Sequence, residues 1–479
     1  MGDPVDERAL ATQALRSALR TAEEYLADID GAVVRPRDAD AVAERFSVPF
    51  PEHGLGTLPA IERLVEGSDA IVRASGPRFF GFVQGGGTPA ALAADVLASV
   101  WDQNAGLWAG SPLASRLEAV SIDWLKDLFG LPKEWGGVLT TGATMANFVG
   151  LAAARRWWAE RHGVDIEEAG LAGLPPMPIL TGGYIHVSAV KAIAMLGLGR
   201  ANIRRFTSDA VGRLDVDALE AALRGLGGAP AIIVANAGEV NAGDFDPIAR
   251  LADLAEAHGA WLHVDGAFGL FARVTPRANA LAEGVERAHS VIADGHKWLN
   301  VPYDCGFAFL RDARRLEDSF GSTAAYLGTP DQARPDLAYR GPEMSRRARG
   351  FAVWTTLAAY GRDGYRAMIE RHLALAQRLA RHIDAAPDLE LLADAPLNIV
   401  CFRYRPVRAH PDELDALNER LGRQVLADGR VFVGTTRYGG RVAFRPAIAN
   451  WRTTEDDVDL IVEVVRELGG ALSTAVPSA

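Results

Sequence analysis

At 479 residues, with 49% apolar and 23% charged side chains, the chain is too long for one hydrophobic core and has the composition of an ordinary globular protein of two or three subdomains. A net charge of −11 argues against a nucleic-acid partner, which needs a basic face. The densest cationic cluster, Arg346, Arg347 and Arg349 in SRRAR, reads as a solvated helix face or a set of structural ion pairs. The two cysteines, Cys305 and Cys401, lie too far apart in sequence to suggest a disulfide framework or a metal-ligand pair, so a reducing, cytoplasmic setting without a bound metal is expected.

The first thirty or so residues read as an amphipathic helix (Leu10, Leu15, Leu19, Ala22, Leu26) without the basic start and apolar core of a secretion signal. No apolar run is long enough to span a bilayer. Up to about residue 70 the pattern stays helical but is broken by RPRD and PFPEHGLG, which suits an arm that packs on a partner subunit. Between about 135 and 310 the runs GVLT, PILT, AIIVAN, AWLHV, SVIA and CGFAFL alternate with helical stretches, the signature of an α/β unit with a mostly parallel sheet. A helical bridge near 350–385 leads to LELLAD, NIVCFRY, HPDELDALNERL, VFVGTT, RVAFRP and TEDDVDLIVEVV, which read as strand, strand, helix, strand, strand, helix of a smaller α+β domain. The expected division is a helical arm over 1–70, a large domain over 71–365 and a small domain over 366–479.

Four segments carry the chemistry. In ADGHKWLNVPYDCG, Lys297 follows a short apolar strand, flanked by His296 and Trp298, where a merely solvated lysine is the ordinary alternative. AWLHVDGAFG puts Asp265 at the end of the preceding predicted strand, so that both residues can meet at one sheet edge. YIHVSAVKA places His186 at a helix start. GGVLTTGATMAN is a strand, a Gly turn and a helix start, from which Ala143 and Thr144 can offer N–H groups and a hydroxyl to phosphate.

From about Pro77 to Thr454 these segments resemble the group II pyridoxal-phosphate-dependent amino-acid decarboxylases, which include aromatic-amino-acid and glutamate decarboxylases. The resemblance implies a fold-type I PLP-dependent transferase-like architecture, a homodimer, and decarboxylation of an L-amino acid with an aromatic or bulky side chain. It makes Lys297 the covalent carrier of pyridoxal 5'-phosphate and Asp265 the partner of its pyridine nitrogen, where a carboxylate keeps the ring protonated as an electron sink. It stacks His186 on the ring and adds His296, Ala267, Ala143 and Thr144 as cofactor contacts. Tyr326, in STAAYLGT, matches a loop tyrosine that returns a proton to Cα.

On the substrate side the resemblance places Phe79, Phe80 and Phe82 of PRFFGFVQGG and Asn104 and Gly106 of WDQNAGLWAGSP, the last two smaller or more polar than in aromatic-specific relatives. Arg445 and Arg452 are both candidates for a substrate carboxylate, and each is as readily a structural ion pair. Two departures stand out. Asp294 replaces a phosphate-contacting asparagine and, as a like charge, should avoid phosphate or bind a neighbouring donor. Glu239 and Val240 replace a pair of threonines. Readings that share the cofactor are an aldehyde synthase, an aminotransferase or a carbon–carbon lyase, and one of another class is a silent cofactor-binding regulator.

Overall fold

The computed structural model describes residues 3–36, 38–321 and 334–474. The large sheet is built from β1 (Gly136–Thr140), β2 (Ile179–Thr181), β3 (Ile203–Arg205), β4 (Ile232–Asn236), β5 (Trp261–Asp265), β6 (Ser290–Asp294) and β7 (Gly306–Leu310). Their spatial order is β1-β7-β6-β5-β4-β2-β3. Neighbours from β6 to β3 run parallel, and only β7 is reversed, antiparallel to both β6 and β1.

The apolar runs become strands because both faces of the sheet are covered. Successive side chains point to opposite faces, so Ile233, Ala235, Leu262, Val264, Val291, Phe307 and Phe309 enter one core cluster. Ile232, Val234, Trp261, Ile292, Ala308 and Leu310 enter the other. A side chain such as Phe307, wholly removed from water, contributes about 1.5–3 kcal/mol. Register then aligns the strand ends: Asn236 pairs with Asp265, and Asp265 with Ile292 two residues before Asp294. The carboxyl edge of the sheet therefore presents polar groups side by side.

The small sheet is antiparallel, in the order β10-β11-β9-β8, with β8 Leu389–Leu391, β9 Phe402–Tyr404, β10 Thr435–Tyr438 and β11 Arg441–Phe444. Its core takes Ala376, Leu379 and Ile383 from the long helix Gly350–Ala385 and Val458, Ile461 and Val465 from Glu455–Thr474. VFVGTT was expected to be one strand, but β10 starts only at Thr435. Residues 431–434 are drawn to the segment before the large domain, where Phe432 N–H donates to Arg78 O at 3.0 Å and Phe80 N–H to Phe432 O at 2.9 Å.

The N-terminal helix Ala11–Asp28 buries none of its residues, and Leu15 and Leu19 are each 40% exposed. Of the two readings of SRRAR, ion pairing is the one found: Arg346 meets Glu118 at 2.6 Å with both side chains buried, Arg347 meets Asp95 at 2.8 Å, and Arg349 meets Asp304 at 2.7 Å. No helix among the described residues is long and apolar enough to cross a membrane.

Candidate active site

Lys297 leaves the sheet just after β6, in a loop held from several directions. Gly295 N–H donates to Cys305 O at 3.0 Å, Trp298 Nε1 to His372 Nδ1 at 2.8 Å, and Asn300 Nδ2 to Ala449 O at 3.0 Å. Asn300 adopts φ +57°, a left-handed conformation that asparagine tolerates better than most residues. Beneath the loop passes Gly85, whose N–H donates to His296 O at 3.1 Å. A Cβ at Gly85 would lie 2.0 Å from Lys297 O, so only glycine fits. The lysine side chain is 17% exposed, with Nζ 3.4 Å from Asp294 Oδ2.

Asp265 ends β5 and is buried. Its Oδ1 accepts from Ala267 N–H at 3.2 Å and its Oδ2 from Asn147 Nδ2 at 2.9 Å. His186 caps the helix Val187–Met195, with Nδ1 accepting from Ser188 N–H at 3.2 Å, so the neutral ring carries its proton on Nε2. Burial pushes the His186 pKa down. Asp265 opposes that shift while Lys297 and Arg445 reinforce it, so these charges act on one small volume.

At the turn after β1, Gly142 has φ +145°, and a Cβ there would meet His296 Cε1 at 3.0 Å. The N–H of Ala143, expected to face phosphate, instead donates to Asp294 Oδ1 at 2.8 Å. Asp294 thus takes the second course open to it and binds neighbouring donors, including His296 Nε2 at 3.3 Å. Burial alone would raise its pKa, yet Lys297, His296 and the Ala143 N–H together hold it below the ordinary aspartate value. Among the described residues, nothing accepts from the hydroxyl or N–H of Thr144, which stays open at the helix start.

The substrate-side residues divide. Asn104 Oδ1 is held by its own neighbourhood, accepting from Gly106 N–H at 3.0 Å and Arg346 N–H at 2.9 Å. Gly106 is small because Met344 O would lie 2.3 Å from a Cβ there. Phe79 stacks on Phe432 with centroids 4.4 Å apart, Phe82 lies 6.2 Å from Phe79 and is 62% exposed, and Phe80 is core. Arg452 is committed elsewhere, paired with Asp30 at 3.0 Å and lying over the Trp451 ring. Arg445 faces the site side, donating to Val240 O at 3.0 Å. Glu239 is spent on its own turn, accepting from Ala242 N–H at 2.8 Å and from Asn241, whose Oδ1 in turn accepts from Thr436 Oγ1 of the small sheet at 2.6 Å. Tyr326 lies outside the described residues. The residues behind Asp265, namely Asn147, His263 and Ser290, went unread in the sequence. The available signal was the two-residue spacing of His263 and Asp265, which puts both on one face of β5.

A lysine amine, an acceptor carboxylate and an imidazole gathered at the carboxyl edge of a mostly parallel sheet define an α/β enzyme of the fold-type I pyridoxal-phosphate class. The model of the pyridoxal-dependent decarboxylase conserved domain matches residues 63–405. The chain belongs to this family, and it is a pyridoxal-phosphate-dependent carboxy-lyase of amino acids. It is 29% identical over 448 residues to an aromatic-L-amino-acid decarboxylase of Bacillus atrophaeus, covering 92% of this chain and 91% of the relative. It is 33% identical over 438 residues to an L-2,4-diaminobutyrate decarboxylase of Rhizobium meliloti (strain 1021), covering 89% and 85%. The crystal structure of Oryza sativa TDC with PLP and tryptamine superposes with a TM-score of 0.89 at 25% identity, covering 97% of this chain and 98% of that one.

Proposed function

We propose that this decarboxylase acts on an L-amino acid with an aromatic or otherwise bulky side chain, that Lys297, Asp265 and His186 hold its cofactor, and that Tyr326 returns the proton to Cα. The observation that carries the reading is the convergence of Lys297, Asp294, Asp265 and His186 at one sheet edge. The donor set fits pyridoxal 5'-phosphate: Lys297 Nζ for the aldehyde, the Asp265 carboxylate for the ring nitrogen, His186 for the ring face, and Thr144 at a helix start for the phosphate. A carboxylate at Asp294 is compatible with that anion because its oxygens are turned to Ala143, His296 and Lys297.

When bound, the cofactor supplies the electron sink for the pair left behind as the Cα–carboxylate bond breaks. The chain supplies the rest. Asp265 would orient the ring, His186 would brace it, and the partly buried Arg445 guanidinium, whose charge acts on His186, would pair with a substrate carboxylate. Tyr326 delivers a phenol proton to Cα. The two relatives described above differ by name in substrate, one aromatic and one L-2,4-diaminobutyrate. The cluster of Phe79 and Phe82, on the segment that leads to Gly85, with Phe432 packed against it favours the bulky alternative.

The same reading takes 1–70 as an arm, 71–365 as the cofactor domain and 366–479 as the small domain of a cytoplasmic homodimer. Phe50 at 97% exposure, together with Leu15, Leu19, Trp101 and Leu113, supplies apolar surface for the partner subunit. The test is to incubate purified holoenzyme with single amino acids and measure carbon dioxide, amine, aldehyde and ammonia together. Equal carbon dioxide and amine from a bulky substrate supports the reading. Aldehyde with ammonia would make the chain an aldehyde synthase, and bound cofactor without any turnover would make it a regulator.

A further inference from the structure

Behind Asp265 a line of polar side chains runs back into the core. Trp261 Nε1 donates to Ser290 Oγ at 3.0 Å, Ser290 Oγ lies 2.8 Å from His263 Nδ1, His263 Nε2 lies 2.8 Å from Asn147 Oδ1, and Asn147 Nδ2 donates to Asp265 Oδ2 at 2.9 Å. His263, Asn147 and Ser290 are fully buried. Chemistry fixes the direction of every bond. An indole N–H can only donate and a carboxylate can only accept. The Asn147 amide nitrogen faces the accepting Asp265 Oδ2, so its Oδ1 faces His263 Nε2, which must carry the ring proton. The neutral ring then offers only an acceptor at Nδ1, so the Ser290 hydroxyl donates to it while the Ser290 oxygen accepts from Trp261. Burial pushes the His263 pKa down to about 4, so the ring is neutral near pH 7.

Two further observations set this line apart from ordinary core packing. A Cβ at Gly150 would lie 2.8 Å from His263 Cε1 and 2.9 Å from Nδ1. The helix Ala143–Glu160 thus carries a glycine, unfavourable in a helix interior, at the place where the ring passes. In addition, Asn147 Nδ2 lies 3.3 Å from Ser188 Oγ, which is itself 2.7 Å from His186 Nδ1. One amide therefore touches both the carboxylate and, through Ser188, the imidazole of the site.

We propose that Asn147 and His263 are positioning residues for the decarboxylation: a one-way relay from Trp261 supplies a fixed N–H donor to Asp265, aiming its remaining acceptor capacity at the cofactor's ring nitrogen. The inference rests on the assignment of Asp265 given above, and its test separates the two. The dissociation constants of the apoenzyme are measured for pyridoxal 5'-phosphate and for the analogue with C–H in place of the ring nitrogen. Asn147→Leu, similar in shape but without a donor, should lower the preference for the natural cofactor about tenfold, close to 1.4 kcal/mol, while the analogue binds within about twofold of wild type. His263→Gln, which keeps an N–H for Asn147, should retain most of the preference, and His263→Leu should lose it.

Equal weakening of both ligands by Asn147→Leu would make the relay merely structural and overturn the proposal. An Asp265→Asn variant that keeps the wild-type preference would instead overturn the assignment of Asp265. Circular dichroism melting of each apoenzyme establishes that it folds, and if Asn147→Leu does not, Asn147→Ala, which also lacks a donor, carries the same comparison with the same outcomes.

Discussion

Glu118 and Arg346 form an ion pair with essentially no access to water: Arg346 Nη2 lies 2.6 Å from Glu118 Oε1 and also donates to Leu139 O at 2.7 Å, while Glu118 Oε1 accepts Leu139 N–H at 3.0 Å. Replacing Glu118 by methionine strands a buried guanidinium, and breaking such a pair costs about 3–5 kcal/mol. An unfolding entropy of about 2.1 cal/mol/K per residue amounts to about 1 kcal/mol/K for this chain taken as one cooperative unit, so the melting temperature should fall by about 3–5 °C. Arg346→Met should do the same. The double variant, with volume kept and both charges gone, should recover most of the loss because the desolvation cost disappears with the charges. Scanning calorimetry on the four proteins closes a double-mutant cycle. A double variant that melts about 6–10 °C below wild type, the plain sum of the singles, would refute the argument.

Arg445→Ala should raise KM about tenfold or more, whereas Arg452→Ala, which removes a pair with the 67% exposed Asp30, should change stability by less than about 1 kcal/mol and leave KM unchanged in steady-state assays. Tyr326→Phe should still release carbon dioxide but yield less amine and more aldehyde, ammonia and consumed oxygen; an unchanged amine yield would assign the proton to another group. Burial lowers His263 to about 4, His289 to about 4 and His372 to about 3, all below the ordinary value near 6.5. As pH falls below about 6.5, the unfolded chain binds protons that the native chain refuses, so each histidine removes about 1.4 kcal/mol of stability per pH unit. Asp246, raised by burial to about 6, has the opposite sign and offsets one of the three. The net loss on acidification predicts a lower thermal midpoint at about pH 5 than at about pH 7 by circular dichroism, and an equal or higher midpoint at about pH 5 would contradict it.

The large sheet was legible because strands covered on both faces are continuous apolar runs, as in AIIVAN and CGFAFL. β3 was not, since only Ile203 of its three residues is buried and Arg204 and Arg205 face solvent. The early part of VFVGTT misled for a different reason: its apolar side chains suit a strand, but their hydrogen bonds go to residues 78–80. Lys297, Asp265 and His186 stood out as polar residues at strand ends and a helix start. What stayed hidden depends on contacts between distant segments. Nothing local to TMAN announces that Asn147 bonds a histidine 116 residues away, or that Gly85 is fixed by the backbone of Lys297. The same holds for Asn104, whose Oδ1 accepts from Arg346 N–H 242 residues away.

The central claim is that Lys297 carries the cofactor. Purified holoenzyme is reduced with borohydride, digested, and the peptide bearing the pyridoxyl phosphate group is sequenced by mass spectrometry. The account predicts a single labelled site at Lys297, with neither label nor turnover in Lys297→Ala. A label on any other lysine, or turnover that survives Lys297→Ala, would contradict it.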